Sequence, residues 1–117
     1  MLVDDDDVIT EVLQARLSGH YDVVSTNSPE NVLHLARREN PDLIICDIDM
    51  PEMDGGDISA ALYADSELRN IPFMFLTSLA SPEDLGSGRE EIGGRAAISK
   101  HCSAKDLLLR IHSLIGK

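Results

Sequence analysis

Asn40-Pro41-Asp42-Leu43-Ile44-Ile45-Cys46-Asp47-Ile48-Asp49-Met50-Pro51-Glu52-Met53-Asp54-Gly55-Gly56 is the stretch whose reading decides the fold. Proline disfavours helical geometry in the residue before it, so Asn40-Pro41-Asp42 ends whatever helix comes first. Leu43 to Cys46 is then apolar at every position, which suits a central parallel strand covered on both faces. Asp47 rides on the tip of that strand into a turn marked by Asp54-Gly55-Gly56. A carboxylate held at a strand end is a candidate nucleophile.

The same design opens the chain. Met1-Leu2-Val3 is a second short apolar run, and it too ends in acids, Asp4-Asp5-Asp6-Asp7. Ile9, Val12, Leu13 and Leu17 follow at helical spacing, with Gly19 where such a helix would stop. Tyr21 to Ser25 reads as a strand. Ser28-Pro29 reads as an N-cap with proline in the first turn, and Val32, Leu35 and Ala36 give the next helix its buried stripe.

Beyond the Asp54-Gly55-Gly56 turn, Ile58, Ala61 and Leu62 mark a third helix and Pro72 to Leu76 a fourth strand. Ser81-Pro82 opens a fourth helix, anchored by Leu85 and Ile92. It is weakened by Gly86 and Gly88, each costing about 1 kcal/mol relative to alanine. Ala96-Ala97-Ile98 has poor strand propensity but falls where a fifth strand is due. Ser103, with Asp106 three residues on, resembles a capping box before a final helix carrying Leu107, Leu108, Ile111, Leu114 and Ile115.

Five strand–helix units predict an α/β fold, a parallel sheet with helices on both faces, in a single domain over residues 1–117. In such folds sites form outside the carboxyl ends of the strands. Asp4, Asp5, Asp47, Thr77 and Lys100 would all lie there. Asp6 and Asp7 are placed to cap or solvate the first helix, favoured by its dipole, and Asp54 to serve its turn.

Composition narrows the function. Ten basic and 21 acidic residues give a formal charge of −11, which repels phosphate backbones and argues against direct nucleic-acid binding. No apolar stretch approaches the ~20 residues of a membrane span, and the N-terminus lacks the basic flank and apolar core of a signal peptide. A cytoplasmic protein is expected. Cys46 and Cys102 have neither metal-ligand nor disulfide-framework spacing, so free thiols are expected. His20, His34, His101 and His112 show no zinc spacing. Gly86-Ser87-Gly88 lacks the rest of a phosphate-binding fingerprint.

Carboxylates gathered within a few ångströms repel by about 4 kcal/mol per pair at 4 Å and an effective dielectric near 20. A divalent cation relieves this. All-oxygen ligands call for a hard ion, and a site with few protein oxygens and room for water and phosphate suits Mg2+ better than calcium. Such an ion beside a carboxylate nucleophile points to phosphoryl transfer, with Lys100 as the nearby cation and the Thr77 hydroxyl as a phosphoryl hydrogen-bond donor.

Leu2-Val3-Asp4-Asp5-Asp6, Pro41 through Gly55, Ile71-Pro72 through Leu76-Thr77-Ser78 and Gly93-Gly94 through Ser99-Lys100, in that order, resemble the receiver domain of two-component response regulators. The likeness spans essentially the whole chain. It implies a flavodoxin-like (βα)5 fold with strand order 2-1-3-4-5, and phosphorylation of Asp47 by a sensor histidine kinase or phosphotransfer protein. It further implies magnesium held by Asp5 and Asp47 carboxylates, by the Asp49 backbone carbonyl and through water by Asp4, with Thr77 and Lys100 touching the phosphoryl group. Output would pass through an altered surface to another protein, the chain being a monomer or weak dimer rather than an enzyme with turnover as its purpose.

Two positions depart from the family. Ala97 stands where an aromatic switch residue is usual, and His101 follows Lys100 where proline, often after a cis bond, is usual. A cis bond to histidine would cost about 2.5–4 kcal/mol, so a trans bond is expected. These departures motivate a second reading, an interaction module acting without phosphate. A third, a haloacid-dehalogenase-type phosphatase using Asp47-Ile48-Asp49, suffers from reversed motif order and a chain too short for the usual fold.

Overall fold

Backbone hydrogen bonding converts the apolar runs into a single sheet. The structure, a computed structural model, describes residues 1–48, 55–77, 91–92, 95–100 and 102–115. Within these the strands are β1 (Leu2–Val3), β2 (Ser25–Thr26), β3 (Ile44–Asp47), β4 (Phe73–Thr77), β5 (Glu91–Ile92) and β6 (Arg95–Ser99). The helices are α1 (Asp7–Leu17), α2 (Val32–Glu39), α3 (Gly55–Ala64) and α4 (Ala104–Ile115), with a 3-10 turn over Pro29–Asn31.

The sheet order is β2-β1-β3-β4-β6-β5. Every neighbouring pair is parallel except β5 with β6. With β6 as the fifth parallel strand, the predicted order 2-1-3-4-5 holds, and a short antiparallel strand is added at the β6 edge.

Side chains alternate across a strand, so each strand supplies both faces. On one face Val3, Ile44, Cys46, Phe73, Phe75 and Ala97 pack with Val32 and Ala36 of α2 and Ile58 and Leu62 of α3. On the other, Leu2, Ile45, Met74 and Leu76 pack with Leu13 and Leu17 of α1 and Leu107 and Ile111 of α4. Phe73 and Phe75 meet edge to face, their ring centroids 5.0 Å apart. Cys46 and Cys102 are buried thiols outside any disulfide. Burial holds the Cys102 thiol pKa above its ordinary value.

Caps fix the helix ends. The Asp6 carboxylate accepts from the Val8 and Ile9 amides at 2.9 and 3.3 Å, as its place before α1 predicts. Ser103 Oγ accepts from the Asp106 amide at 3.1 Å, one half of the expected capping box at α4. Asn40 closes α2 in the left-handed region at φ 47°, its amide bonded to the Ala36 carbonyl. Asparagine tolerates that geometry, and Pro41 prevents any continuation. An Arg37–Asp65 ion pair ties α2 to the segment after α3.

Four expectations need correction. The second strand is Ser25–Thr26, because β1 offers pairing only at Leu2 and Val3, although the Leu2 amide already bonds to the Val24 carbonyl. Ser28-Pro29 opens the 3-10 turn, and α2 starts after Asn31 without a side-chain cap. Val12 is 42% exposed and lies off the buried stripe of α1. Ile92 is no helix anchor; it pairs with Arg95 in the β5–β6 ladder. The fourth helix expected from Ser81-Pro82, the Asp54 turn, the Gly86-Ser87-Gly88 loop and the bond into His101 lie outside the described residues.

Candidate functional site

Parallel strands all end on the same side, and β1, β3 and β6 end there in charge. Asp4 directly follows β1, Asp47 is the last residue of β3, and Lys100 directly follows β6. Hydrogen bonds fix these tips: the Asp4 amide to Thr26, the Ile48 amide to Leu76, and the Lys100 amide to the Thr77 carbonyl at 2.9 Å. Lys100 Nζ lies 3.2 Å from Asp4 Oδ2 and 3.1 Å from Asp47 Oδ2. Both carboxylates are almost fully buried, Asp4 and Asp47 each 2% exposed.

Burial opposes the charge of the Lys100 amine, but hydrogen bonding and charge from Asp47 and Asp4 outweigh it and hold its pKa above the ordinary value. Burial pushes the Asp4 carboxyl the other way for an acid, up to about 6. The Asp6 amide, bonded to Asp4 Oδ1 at 2.9 Å, and the Lys100 charge limit that rise, while the Asp47 charge adds to it. One lysine therefore sits between two buried acids and does not fully compensate them.

The site suits a further cation. Asp4, Asp5 and Asp47 each offer a carboxylate oxygen, and these atoms lie within 4.8 Å of one another. Asp5 is exposed, so the cluster opens to solvent on one side. Asp4 Oδ2 is buried and, although within ion-pair distance of Lys100, lacks a hydrogen bond of good geometry among the described residues. Hard oxygen donors, a deficit of positive charge and an open side fit magnesium.

Thr77 ends β4, buried, one residue past Leu76, the register partner of Asp47. Its hydroxyl position is therefore on the rim shared by β3, β4 and β6, where Thr77 also pairs with Ser99. Asp49 and Ser78 lie outside the described residues. Sequence reasoning brought Asp4, Asp5, Asp47, Thr77 and Lys100 to one end of the sheet but missed two supports: the Lys100–Asp4 pair and the Asp6 amide on Asp4. The second had a local signal, since an acid followed two residues later by a helix cap often closes an Asx turn. The first had none, because only the completed sheet brings β1 beside β3 and leaves β6 close enough for Lys100 to reach across.

Known proteins resemble this chain in sequence and in fold. The chain matches the sequence profile described as the response regulator receiver domain over residues 1–112. It is 33% identical to the polar-differentiation response regulator DivK of Brucella ovis, the match covering 99% of this chain and 94% of DivK. It is 34% identical to a probable transcriptional regulator, ycf27 of Porphyridium aerugineum, over 100% of this chain but 48% of that protein. The chain thus spans about half the length of the ycf27 relatives. Among solved structures, a putative response regulator from Chloroflexus aurantiacus superposes with a TM-score of 0.83 at 26% identity, covering 99% of this chain and 95% of that one. Chemotaxis protein CheY4 of Vibrio cholerae gives 0.80 at 26%, covering 97% and 94%. Sheet order, the acid–lysine cluster and a match running nearly end to end agree, and this chain belongs to the response regulator receiver domain family of two-component systems.

Proposed function

We propose that Asp47 accepts a phosphoryl group from a phosphohistidine on a sensor histidine kinase or phosphotransfer protein. An Asp47 carboxylate oxygen bonds to phosphorus as the phosphorus–nitrogen bond of a donor protonated on its other ring nitrogen breaks, leaving neutral imidazole and an acyl phosphate. Water later cleaves that acyl phosphate, releasing inorganic phosphate and restoring the carboxylate. The observation that carries this reading is the buried Asp47 carboxylate held 3.1 Å from Lys100 at the open end of the sheet.

Each neighbour has a task. Lys100 offsets charge on the moving group and, through its second contact, keeps Asp4 from repelling it. The Thr77 hydroxyl donates to a phosphoryl oxygen. Asp5 and Asp47 would hold magnesium directly, Asp4 through water, and the Asp49 carbonyl would complete the protein ligands. Bound there, magnesium supplies positive charge against the phosphoryl oxygens. Turnover is secondary to the altered surface, through which output reaches another protein. DivK, matched almost end to end, carries the name of a response regulator without exceeding this length by much. We read residues 1–117 likewise as one receiver domain, monomeric or weakly dimeric.

Acetyl phosphate with magnesium tests the reading. Intact mass should rise by one phosphoryl group on the wild type and not on Asp47→Asn. Equal gain by both proteins would move the acceptor elsewhere, and no gain on the wild type would favour the module that acts without phosphate.

A further inference from the structure

At the end of the sheet away from the carboxylates the chain forms a cleft of about 430 Å³. Because the strands are parallel, the residues that precede them collect there, together with the ends of α1, α2 and α4. The lining of the cleft reaches along the sheet to Leu2 and Ile45, two residues or about 7 Å of extended chain short of Asp4 and Asp47. Asp4, Asp47 and Lys100 take no part in the lining.

The floor is apolar, built from Leu17, Tyr21, Val23, Ile111 and Ile115. Leu17 and Ile111 are buried, but Tyr21, Val23 and Ile115 are only half-buried, so apolar surface meets solvent inside a concave site. Asp22, Glu39 and Asp42 stand around the mouth, all exposed. Glu39 lies 3.6 Å from Arg38, whereas Asp22 and Asp42 make no ion pair among the described residues. The Met1 amino group also borders the cleft and donates to the Leu43 carbonyl at 2.8 Å. Burial, partly opposed by Asp42, lowers its pKa to about 6, so it does little to neutralise the rim at pH 7.

We propose that this cleft docks a segment of a protein partner that inserts one large apolar side chain flanked by lysine or arginine. The rim acids, set in a chain of net charge −11, draw and orient the flanking cations. Affinity comes from apolar area removed from water in the floor, which a charged segment without the central side chain cannot supply. The site is separate from the Asp47 chemistry and does not rest on it. A partner seated there leaves the phosphoacceptor end open, so binding and phosphoryl exchange can occur together.

The test uses the whole chain, isotope-labelled, without phosphodonor, titrated with acetyl-Arg-Phe-Arg-amide and followed by amide chemical shifts. Saturable shifts are expected at residues 21–24, at 39, 40, 42 and 43, and at 111–115, with Asp4 to Asp7 undisturbed. The Asp22→Asn/Asp42→Asn double variant, whose spectrum reports its own folding, should bind about five- to tenfold more weakly. Acetyl-Arg-Gly-Arg-amide should bind at least about tenfold more weakly than the phenylalanine peptide. Equal binding of the glycine peptide, or shifts spread over the acidic surface without saturation, would overturn the proposal. Phenethylamine binding as tightly as the peptide would overturn it too, assigning the cleft to small organic cations.

Discussion

Lys100 is the residue on which the site's electrostatics turn. Its amine stands between two buried carboxylates, and removing one member of a buried charge cluster leaves the others uncompensated. Lys100→Met should therefore destabilise the metal-free protein by roughly 2 kcal/mol, less than the 3–5 typical of a fully buried pair because the amine retains some exposure. Urea unfolding at neutral pH in EDTA measures this; an unchanged midpoint would mean that the pairs contribute nothing.

Asp4 gives the pH dependence. Its folded pKa of about 6 lies above the ordinary 3.8, so between those values the folded state binds the extra proton. The contribution of Asp4 to stability must then fall as pH rises through that window, by at most about 1.4 kcal/mol per pH unit. Asp4→Asn keeps the oxygen that accepts from the Asp6 amide and removes the titration. Between pH 4 and 6 the variant should gain stability relative to the wild type, and a matching slope in both proteins would place the titration elsewhere.

At the scale of elements, helix starts differ in how firmly they are fixed. Ser103 Oγ holds the Asp106 amide at the start of α4, while Asn31 makes no side-chain cap at α2. Ser103→Ala should cost about 1 kcal/mol and Asn31→Ala only a few tenths. Thermal unfolding of the two variants side by side checks this; equal losses would show that the α4 cap adds nothing beyond residue preference.

The same contrast explains what was legible in the sequence. The central strands announced themselves because burial on both faces leaves only apolar residues in Ile44 to Cys46 and Phe73 to Leu76, and the order of the parallel strands followed. Strand limits did not. Tyr21 to Val24 carries strand-forming residues, but ladder membership depends on the partner, and β1 pairs over two residues only. Glu91–Ile92 joins the sheet through β6, a pairing with no local signature in so short a strand. Acids at strand ends were visible because each is announced by its own apolar run, whereas Lys100 reaching both Asp4 and Asp47 is a product of assembly.

The whole molecule couples that assembly to its stability. The carboxylates of β1 and β3 are brought together only in the folded sheet, with two cores on its opposite faces. A ligand that needs all of them binds the native state and not the unfolded chain, and so stabilises the entire fold. Magnesium at about tenfold above its dissociation constant should add roughly 1.4 kcal/mol, which for a domain of this size raises the unfolding midpoint by roughly 5 °C. EDTA should remove the gain. Asp5→Asn separates this linkage from a general salt effect, because Asp5 is exposed and its loss disturbs no packing. That variant should unfold near the wild-type midpoint in EDTA and gain much less from magnesium. An equal gain in wild type and variant would mean that the ion acts through the diffuse charge of the acidic surface rather than through the cluster at the sheet's end.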